Sequence, residues 1–412
     1  MRIPPGLQIS SSSSSTASPL VCKLRKSLYG LKQASRQWFS KLSDALLSRG
    51  YIASKNDYSL FTKSSGASLV ILVVYVDDIL LAGSDIAEMT ALKQFLDDQF
   101  KIKDLGLVHY FMGLEVSSHP DGYVLHQHKY TSDLLEEFKC SHLSPLSTPL
   151  DPSIKLTVDM GDPLPDPSIY RRLVGKLNFL QHTRPDVAYS VQHLSQFLQT
   201  PRVPHMLAAL HVLRYLMTAP AQGVLLSNTP DFALAAFSDS DWATCAHSRR
   251  SVTGFFITLG GCPISWKSKK QPTISLSSVE AEYRALRKVA AEVSWLVRLL
   301  GDLGLSITAP VPVFCDSQAA LHVAKNPVFH ERMKHIEVDC HYVRDCLSSG
   351  LISLQFVRSS AQLADIMTKA LHGPLHHSLL GKLGVFSPSS LKGGVNGSPN
   401  SGPTPTHTQQ PT

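Results

Sequence analysis

A chain of 412 residues with 43% hydrophobic and 17% charged content is long enough for two or three domains and too apolar for wholesale disorder. Its 39 Lys and Arg against 32 Asp and Glu give a formal net charge of +7, which carries information only where the cations cluster. Seven cysteines, an odd number without a C-x-x-C pair, argue against a disulfide framework and for reduced thiols in a cytoplasmic or nuclear compartment.

Residues 1–20 are a Ser-rich leader with Pro4, Pro5 and the run Ser10–Ser15, expected to be disordered. They contain no apolar core segment, so the leader is not a secretory signal and the chain is not expected to be secreted. Lys23, Arg25, Lys26, Lys32, Arg36, Lys41 and Arg49 then come almost unopposed, interleaved with Tyr29, Trp38 and Phe39. That pattern suits a phosphate backbone with stacked bases, or a solvated basic face. Gly30, lacking a Cβ, permits close backbone approach to a ligand, or simply makes a turn before an amphipathic helix. Ser68–Val76 is an apolar, β-branched run too short to span a bilayer, and Ile79–Ala82 is another. The pair Asp77-Asp78 therefore sits at the turn of a hairpin. Adjacent carboxylates at the end of a buried strand repel each other and lose hydration, and a divalent metal removes both penalties. An ordinary acidic β-turn is the alternative.

Ser147–Pro167 reads as a linker, and Tyr170–Leu216 as helical with breaks at Pro185, Pro201 and Pro204. Strands return at Phe232–Phe237, which leads to Asp239, and at Val252–Leu259 and Pro263–Trp266. A long helix starts at Ser277; Glu282 shares its face with Leu286, Val289 and Val293 and points toward the sheet. Glu280 competes for that role, but Ser277-x-x-Glu280 fits a capping box. Val311–Cys315 is a strand ending at Asp316, with a helix opening at Ser317 and another over Arg332–Cys346. His335, Asp339, Cys340 and His341 lie close together there, as a polar helix face rather than a paired-spacing zinc site. The strand Leu351–Val357 follows, and Gln362–Ile366, with Asp365, opens a last helix. Residues 373–412 are a Gly-, Ser- and Pro-rich tail, expected to be mostly disordered.

Taken in order, Ser27–Trp38, Asp77-Asp78, Lys101–Gly106 and Tyr110–Gly113 resemble the reverse transcriptase of copia-type retrotransposons. The resemblance implies that Gly30, Lys32, Gln33 and Arg36 lie beside template RNA, primer and incoming nucleotide, with Asp77 and Asp78 as catalytic metal ligands. Such polymerases carry a third carboxylate on an earlier strand, whereas nothing acidic precedes Asp44 here. A truncated palm without polymerase activity is the expectation. Asp231–Leu371 resembles the ribonuclease H of the same elements, which implies a catalytic and metal-binding set of Asp239, Glu282, Asp316 and Asp365. It further implies two Mg²⁺ (or Mn²⁺) ions, no small-molecule cofactor, and the RNA strand of an RNA–DNA hybrid as substrate. Arg249, Arg250, Trp266, Lys267 and Lys269 are the candidates for duplex contact. Some relatives carry a His between the last strand and the final Asp; Arg358–Gln362 has none, which puts efficient product release in question. Tyr170–Leu177, Thr183–Asp186 and Arg214–Leu216 match the thumb or connection region, for grip on the duplex or as a helical spacer.

The expected architecture is α/β and α+β. A partial reverse-transcriptase palm spans 21–146, a linker and helical thumb or connection region 147–230, and a ribonuclease H-like mixed-sheet domain 231–372. Two functional classes follow: an enzyme that cuts RNA in hybrids, or a catalytically inactive nucleic-acid-binding remnant, neither with a membrane role.

Overall fold

Leu42 and Leu46 recur one turn apart on α1 (Ala34–Ser48), and Leu92 and Leu96 do the same on α2 (Ile86–Phe100). Both pairs pack with Phe61, Val70, Leu72 and Val74 of an antiparallel sheet. Its strands run in sequence order: β1 (Ile52–Ala53), β2 (Leu60–Ser65), β3 (Ser68–Tyr75) and β4 (Asp78–Gly83). These elements form a first compact unit that ends at Leu105 and takes in Asp302–Gly304. The computed structural model describes residues 21–24, 28, 30–326 and 336–386. The leader, Arg25, Lys26, Tyr29, His335 and the tail from 387 lie outside the described residues.

A second unit begins at Gly106. The strands β5 (Tyr110–Phe111), β6 (Leu114–His119) and β7 (Gly122–His126) form a meander, followed by α3 (His128–Glu137). The meander continues onto β8 (Gly223–Ser227) through pairs such as Leu125↔Val224, so residues 106–146 lie in this unit rather than with the hairpin. Between α3 and β8 the helices α4 (Pro167–Leu180), α5 (Ala188–Leu194) and α6 (Val203–Leu216) enclose a core of Leu173, Leu177, Val191, Val212 and Leu213. Asp166 caps α4 by accepting from Ser168 N–H at 2.9 Å, with Pro167 at the first helical position.

Two segments read differently in sequence. The stretch Ser147–Pro167 is not a free linker, because Leu150 and Leu156 are buried in the helical core. The side chains of His205 and Arg202 also bond to the carbonyls of Thr157 and Val158, at 2.8 and 2.9 Å. Arg184, placed above on a duplex-gripping segment, is 1% exposed. Its guanidinium pairs with the equally buried Asp186 at 2.7 Å, donates to Ala219 O at 3.1 Å, and faces a carboxylate that also accepts from Tyr215 Oη at 2.6 Å.

A five-stranded mixed sheet follows: β9 (Leu234–Asp241), β10 (Val252–Leu259), β11 (Cys262–Lys270), then the long α7 (Ser278–Asp302), β12 (Val311–Cys315), α8 (Gln318–Lys325), α9 (Glu337–Ser348) and β13 (Ile352–Phe356). The spatial order is β11-β10-β9-β12-β13, the first three antiparallel and β12 parallel to both β9 and β13. Val289, Ala290 and Val293 bury the inner face of α7. Each such valine contributes roughly 1.5–3 kcal/mol on full burial. Residues 373–386, assigned above to the tail, form α10 (Gly373–Leu380) and β14 (Val385–Phe386), and β14 pairs with β8. The fold is thus a mixed α/β arrangement with several sheets. No helix among the described residues is long and apolar enough to cross a membrane.

Asp186→Ala strands a guanidinium in the core, so unfolding in urea should show a loss of about 3–5 kcal/mol. Acid supplies a second check. Burial holds His193 and His376 at about 4, below the ordinary 6.5. The unfolded chain takes up those protons first, so stability falls as pH drops from 6.5 toward 4. His376→Phe should flatten part of that decline in a pH series of thermal melts.

Candidate metal centre

The register of two parallel neighbours builds the site. Phe314 of β12 stands opposite Phe237 of β9. Two residues further along each chain stand Asp316 and Asp239, so both carboxylates emerge at the same end of adjacent strands. Asp239 is 2% exposed, and Asp316 lies half-buried just past the strand. Glu282 comes from the first turns of α7 and is 7% exposed. The carboxylate of Glu280, on the same turn, instead accepts from Leu276 N–H at 2.8 Å and pairs with Arg284. That leaves Glu282 as the helix's contribution to the cluster.

Asp365 does not open an α-helix. It sits in a 3-10 turn, Leu363–Met367, whose residues are all buried. Gln362 fixes this turn by donating to Ser238 O at 3.0 Å while its amide oxygen caps Ala364 N–H. Gly254, opposite Asp239 on β10, lets the turn lie directly on the sheet. A Cβ there would stand 2.6 Å from Thr368 Cγ2 and 3.0 Å from Ala364 O.

Asp239, Asp316 and Asp365 each offer an oxygen, all within 4.8 Å of one another; ligand atoms of Glu282, Cys315 and Asp316 form an overlapping group, also within 4.8 Å of one another. Neighbours hold these carboxylates in place. Thr368 Oγ1 donates to Asp239, Ser359 Oγ donates to Asp316 at 2.7 Å, and Lys369 Nζ lies 3.0 Å from Asp365 and 3.4 Å from Asp239. One Glu282 oxygen, Oε2, is buried with no hydrogen-bond partner. Burial, reinforced by Asp239 and Asp316, holds the Glu282 carboxyl well above its ordinary range. Burial and then Asp239 push Asp365 up to about 7, and burial takes Asp241 to about 6. Lys369 stays charged, since Asp239 and Asp365 outweigh the burial that would lower it.

Hard oxygen donors crowded together, two of them pushed toward protonation and one orphaned, fit divalent ions such as Mg²⁺ or Mn²⁺. Bound cations would restore the ionised state that burial opposes.

Asp77 and Asp78 belong to neither ligand group among the described residues. They are exposed in the first unit, where the two-residue turn is Val76-Asp77 and Asp78 already pairs with Tyr75. Trp38 Nε1 donates to Val76 O at 2.8 Å and ties α1 to that turn. Gly30 has a φ of +85°, and Lys32, Gln33 and Arg36 are exposed in the same unit. In the second unit Arg249, Arg250, Lys267 and Lys269 are exposed. Trp266 is half-buried against the core, and its indole donates to Gln181 O at 2.8 Å. Sequence reasoning missed Lys369, for which the i,i+4 spacing from Asp365 was the available signal. It also missed Thr368, Asp241 and Ser359; Ser359 has no local signature.

Comparison with known proteins gives a consistent picture. The family described as reverse transcriptase (RNA-dependent DNA polymerase) matches residues 1–152. The chain is 42% identical to the retrovirus-related Pol polyprotein from transposon RE1 of Arabidopsis thaliana, over 89% of this chain and 25% of that protein. It is 31% identical to a putative transposon Ty5-1 protein of Saccharomyces cerevisiae, over 66% of this chain and 90% of that one. The chain therefore spans about a quarter of the RE1 polyprotein it resembles. The N-terminal RNase H domain of a Mycobacterium tuberculosis protein, solved as a maltose-binding-protein fusion, aligns with 36% of this chain and 97% of its own. Its 14% identity and TM-score of 0.25 are too low to bear on the fold.

Gly254→Ala should push the Asp365 turn off the sheet. Mn²⁺ affinity, followed by the spin-resonance signal of the free ion, is expected to fall on the order of tenfold or more. An unchanged affinity would show that the turn tolerates the methyl group.

Proposed function

Because the chain belongs to the family of copia-type retrotransposon Pol polyproteins, with a reverse-transcriptase segment, we propose that its buried carboxylate centre hydrolyses the RNA strand of RNA–DNA hybrids. The observation that carries this reading is the convergence of Asp239, Asp316 and Asp365 within 4.8 Å, beside the unpartnered oxygen of Glu282. The mixed sheet that presents them has the antiparallel-then-parallel order the ribonuclease H resemblance calls for.

When bound, Mg²⁺ or Mn²⁺ ions supply the Lewis acidity that in-line phosphodiester hydrolysis requires. Asp239, Glu282, Asp316 and Asp365 would hold them. Thr368 and Ser359 orient two of those carboxylates, and Lys369 keeps the cluster from repelling itself apart. Arg249, Arg250, Lys267 and Lys269 are exposed cations suited to the hybrid's phosphates. Recognition of the RNA strand would come through its 2′-hydroxyls and backbone. In the first unit, Gly30, Lys32, Gln33 and Arg36 are proposed for template and primer contact. Asp77 and Asp78 carry the polymerase motif, but they stand exposed and outside both ligand groups, so the present chemistry is assigned to the buried centre. The free thiols of Cys140, Cys245, Cys262, Cys315, Cys340 and Cys346 favour a reducing compartment, cytoplasm or nucleus.

A labelled RNA–DNA hybrid tests the proposal. Cleavage should require Mg²⁺, and Asp316→Asn should slow it by at least about a hundredfold, more than removal of an outer partner does. Equal rates for the two proteins would support the alternative, a catalytically inactive nucleic-acid-binding remnant. The rate should also fall as pH drops through about 7, where Asp365 takes up a proton. More Mg²⁺ should move that fall to lower pH, since metal competes with the proton.

A further inference from the structure

Cys315 closes β12 immediately before Asp316, and its side chain is fully buried. Its Sγ lies in one group with carboxylate oxygens of Glu282 and Asp316, all within 4.8 Å of one another. The Ser317 backbone N–H points at the sulfur, 3.4 Å away, while burial and then Glu282 push the thiol up, so a bound cation has to displace its proton. Independently, Glu282 Oε2 is buried without a hydrogen-bond partner in a side chain that is 7% exposed. One sulfur and two carboxylates form a donor set different from the all-oxygen group of Asp239, Asp316 and Asp365. Sulfur prefers borderline and soft cations, and Zn²⁺ takes mixed sulfur and carboxylate ligands at about 2.0–2.3 Å.

We propose that Glu282, Cys315 and Asp316 form a second, thiophilic metal site for Zn²⁺ or a cation like it, whose occupation blocks the hydrolytic centre. Binding exchanges protons for the metal: Cys315–SH and the dication give the metal thiolate and one proton, and a Glu282 carboxyl protonated before binding gives up a second, both released to solvent. Because Glu282 and Asp316 serve both sites, Zn²⁺ withdraws two of the four carboxylates from the hydrolytic set. Mg²⁺, a hard cation, gains little from the sulfur and stays with the oxygens. The inhibitory consequence rests on the hydrolytic reading above; the metal site itself does not.

Two measurements on the full chain separate these claims. Titration with Cd²⁺ should raise an ultraviolet thiolate-to-metal charge-transfer band. The band should disappear in Cys315→Ser and weaken in Glu282→Gln. Zn²⁺ should inhibit Mg²⁺-supported hybrid cleavage, and the half-inhibitory concentration should rise on the order of tenfold or more in Cys315→Ser, each protein scaled to its own uninhibited rate. Absence of a band, a band that survives in Cys315→Ser, or equal Zn²⁺ inhibition of both proteins would overturn the proposal. A Cys315-dependent band in a protein that cleaves no hybrid would uphold the metal site and sink the hydrolytic reading instead. If circular dichroism shows Cys315→Ser unfolded, the wild-type and Glu282→Gln titrations decide: equal bands overturn the proposal, and a weakened band upholds it.

Discussion

Four carboxylates share one end of a mixed sheet, and the repulsion among them is the constraint that their surroundings answer. Asp239 and Asp316 arrive there because β9 and β12 run parallel in a register that pairs Phe237 with Phe314. Glu282 arrives on a helix whose opposite faces are settled by Glu280 pairing and by apolar burial. Asp365 arrives on a 3-10 turn that lies over Gly254, where a Cβ would crowd Thr368, Met367 and Ala364. Left without cations, such a cluster drifts toward protonation, as the upward shifts of Glu282 and Asp365 show. Lys369 offsets part of the charge but reaches two of the four carboxylates, Asp239 and Asp365.

The helical region adjoins this centre. Asp186 and Ser190, Ile366 and Lys369 of the turn segment, and His376 of α10 line a common cavity of about 10 Å³, room for a single water. The Arg184–Asp186 pair thus anchors helices that abut the turn carrying Asp365. A buried pair of this kind adds little net stability beside an apolar substitute, while breaking it is expensive. Its role is better described as fixing one arrangement of α5 and α6 against the sheet than as gripping a duplex.

Much of this was legible in sequence where the information is local. The apolar run before Asp316 marks a strand end, whereas β9 continues past Asp239 to Asp241; the periodicity of Leu286, Val289 and Val293 sets the face of Glu282. Ser277-x-x-Glu280 gives Glu280 a structural role at the start of α7, where its N–H donates to Ser277 Oγ and its carboxylate accepts from Leu276 N–H. What escaped depends on contacts distant in sequence. Pairing of β7 with β8 joins residues about a hundred positions apart, and nothing in Gly122–His126 alone announces its partner. Ser147–Pro167 looked like a linker because its composition is polar and Pro-rich, yet two leucines and the side chains of α6 hold it down. Thr183–Asp186 read as duplex grip or a helical spacer, and only tertiary packing reveals that Arg184 and Asp186 are buried together under Tyr215. Trp266 likewise satisfies its indole on Gln181, a carbonyl no local pattern predicts.

The central claim, that these carboxylates form a divalent-metal centre, is tested most directly by anomalous diffraction from crystals of the protein soaked in Mn²⁺. The account predicts manganese peaks within coordination distance of Asp239, Glu282, Asp316 and Asp365, with the Lys369 ammonium displaced from Asp239 or Asp365. A cluster that stays free of manganese at saturating concentration, with Lys369 still bridging Asp239 and Asp365, would contradict it.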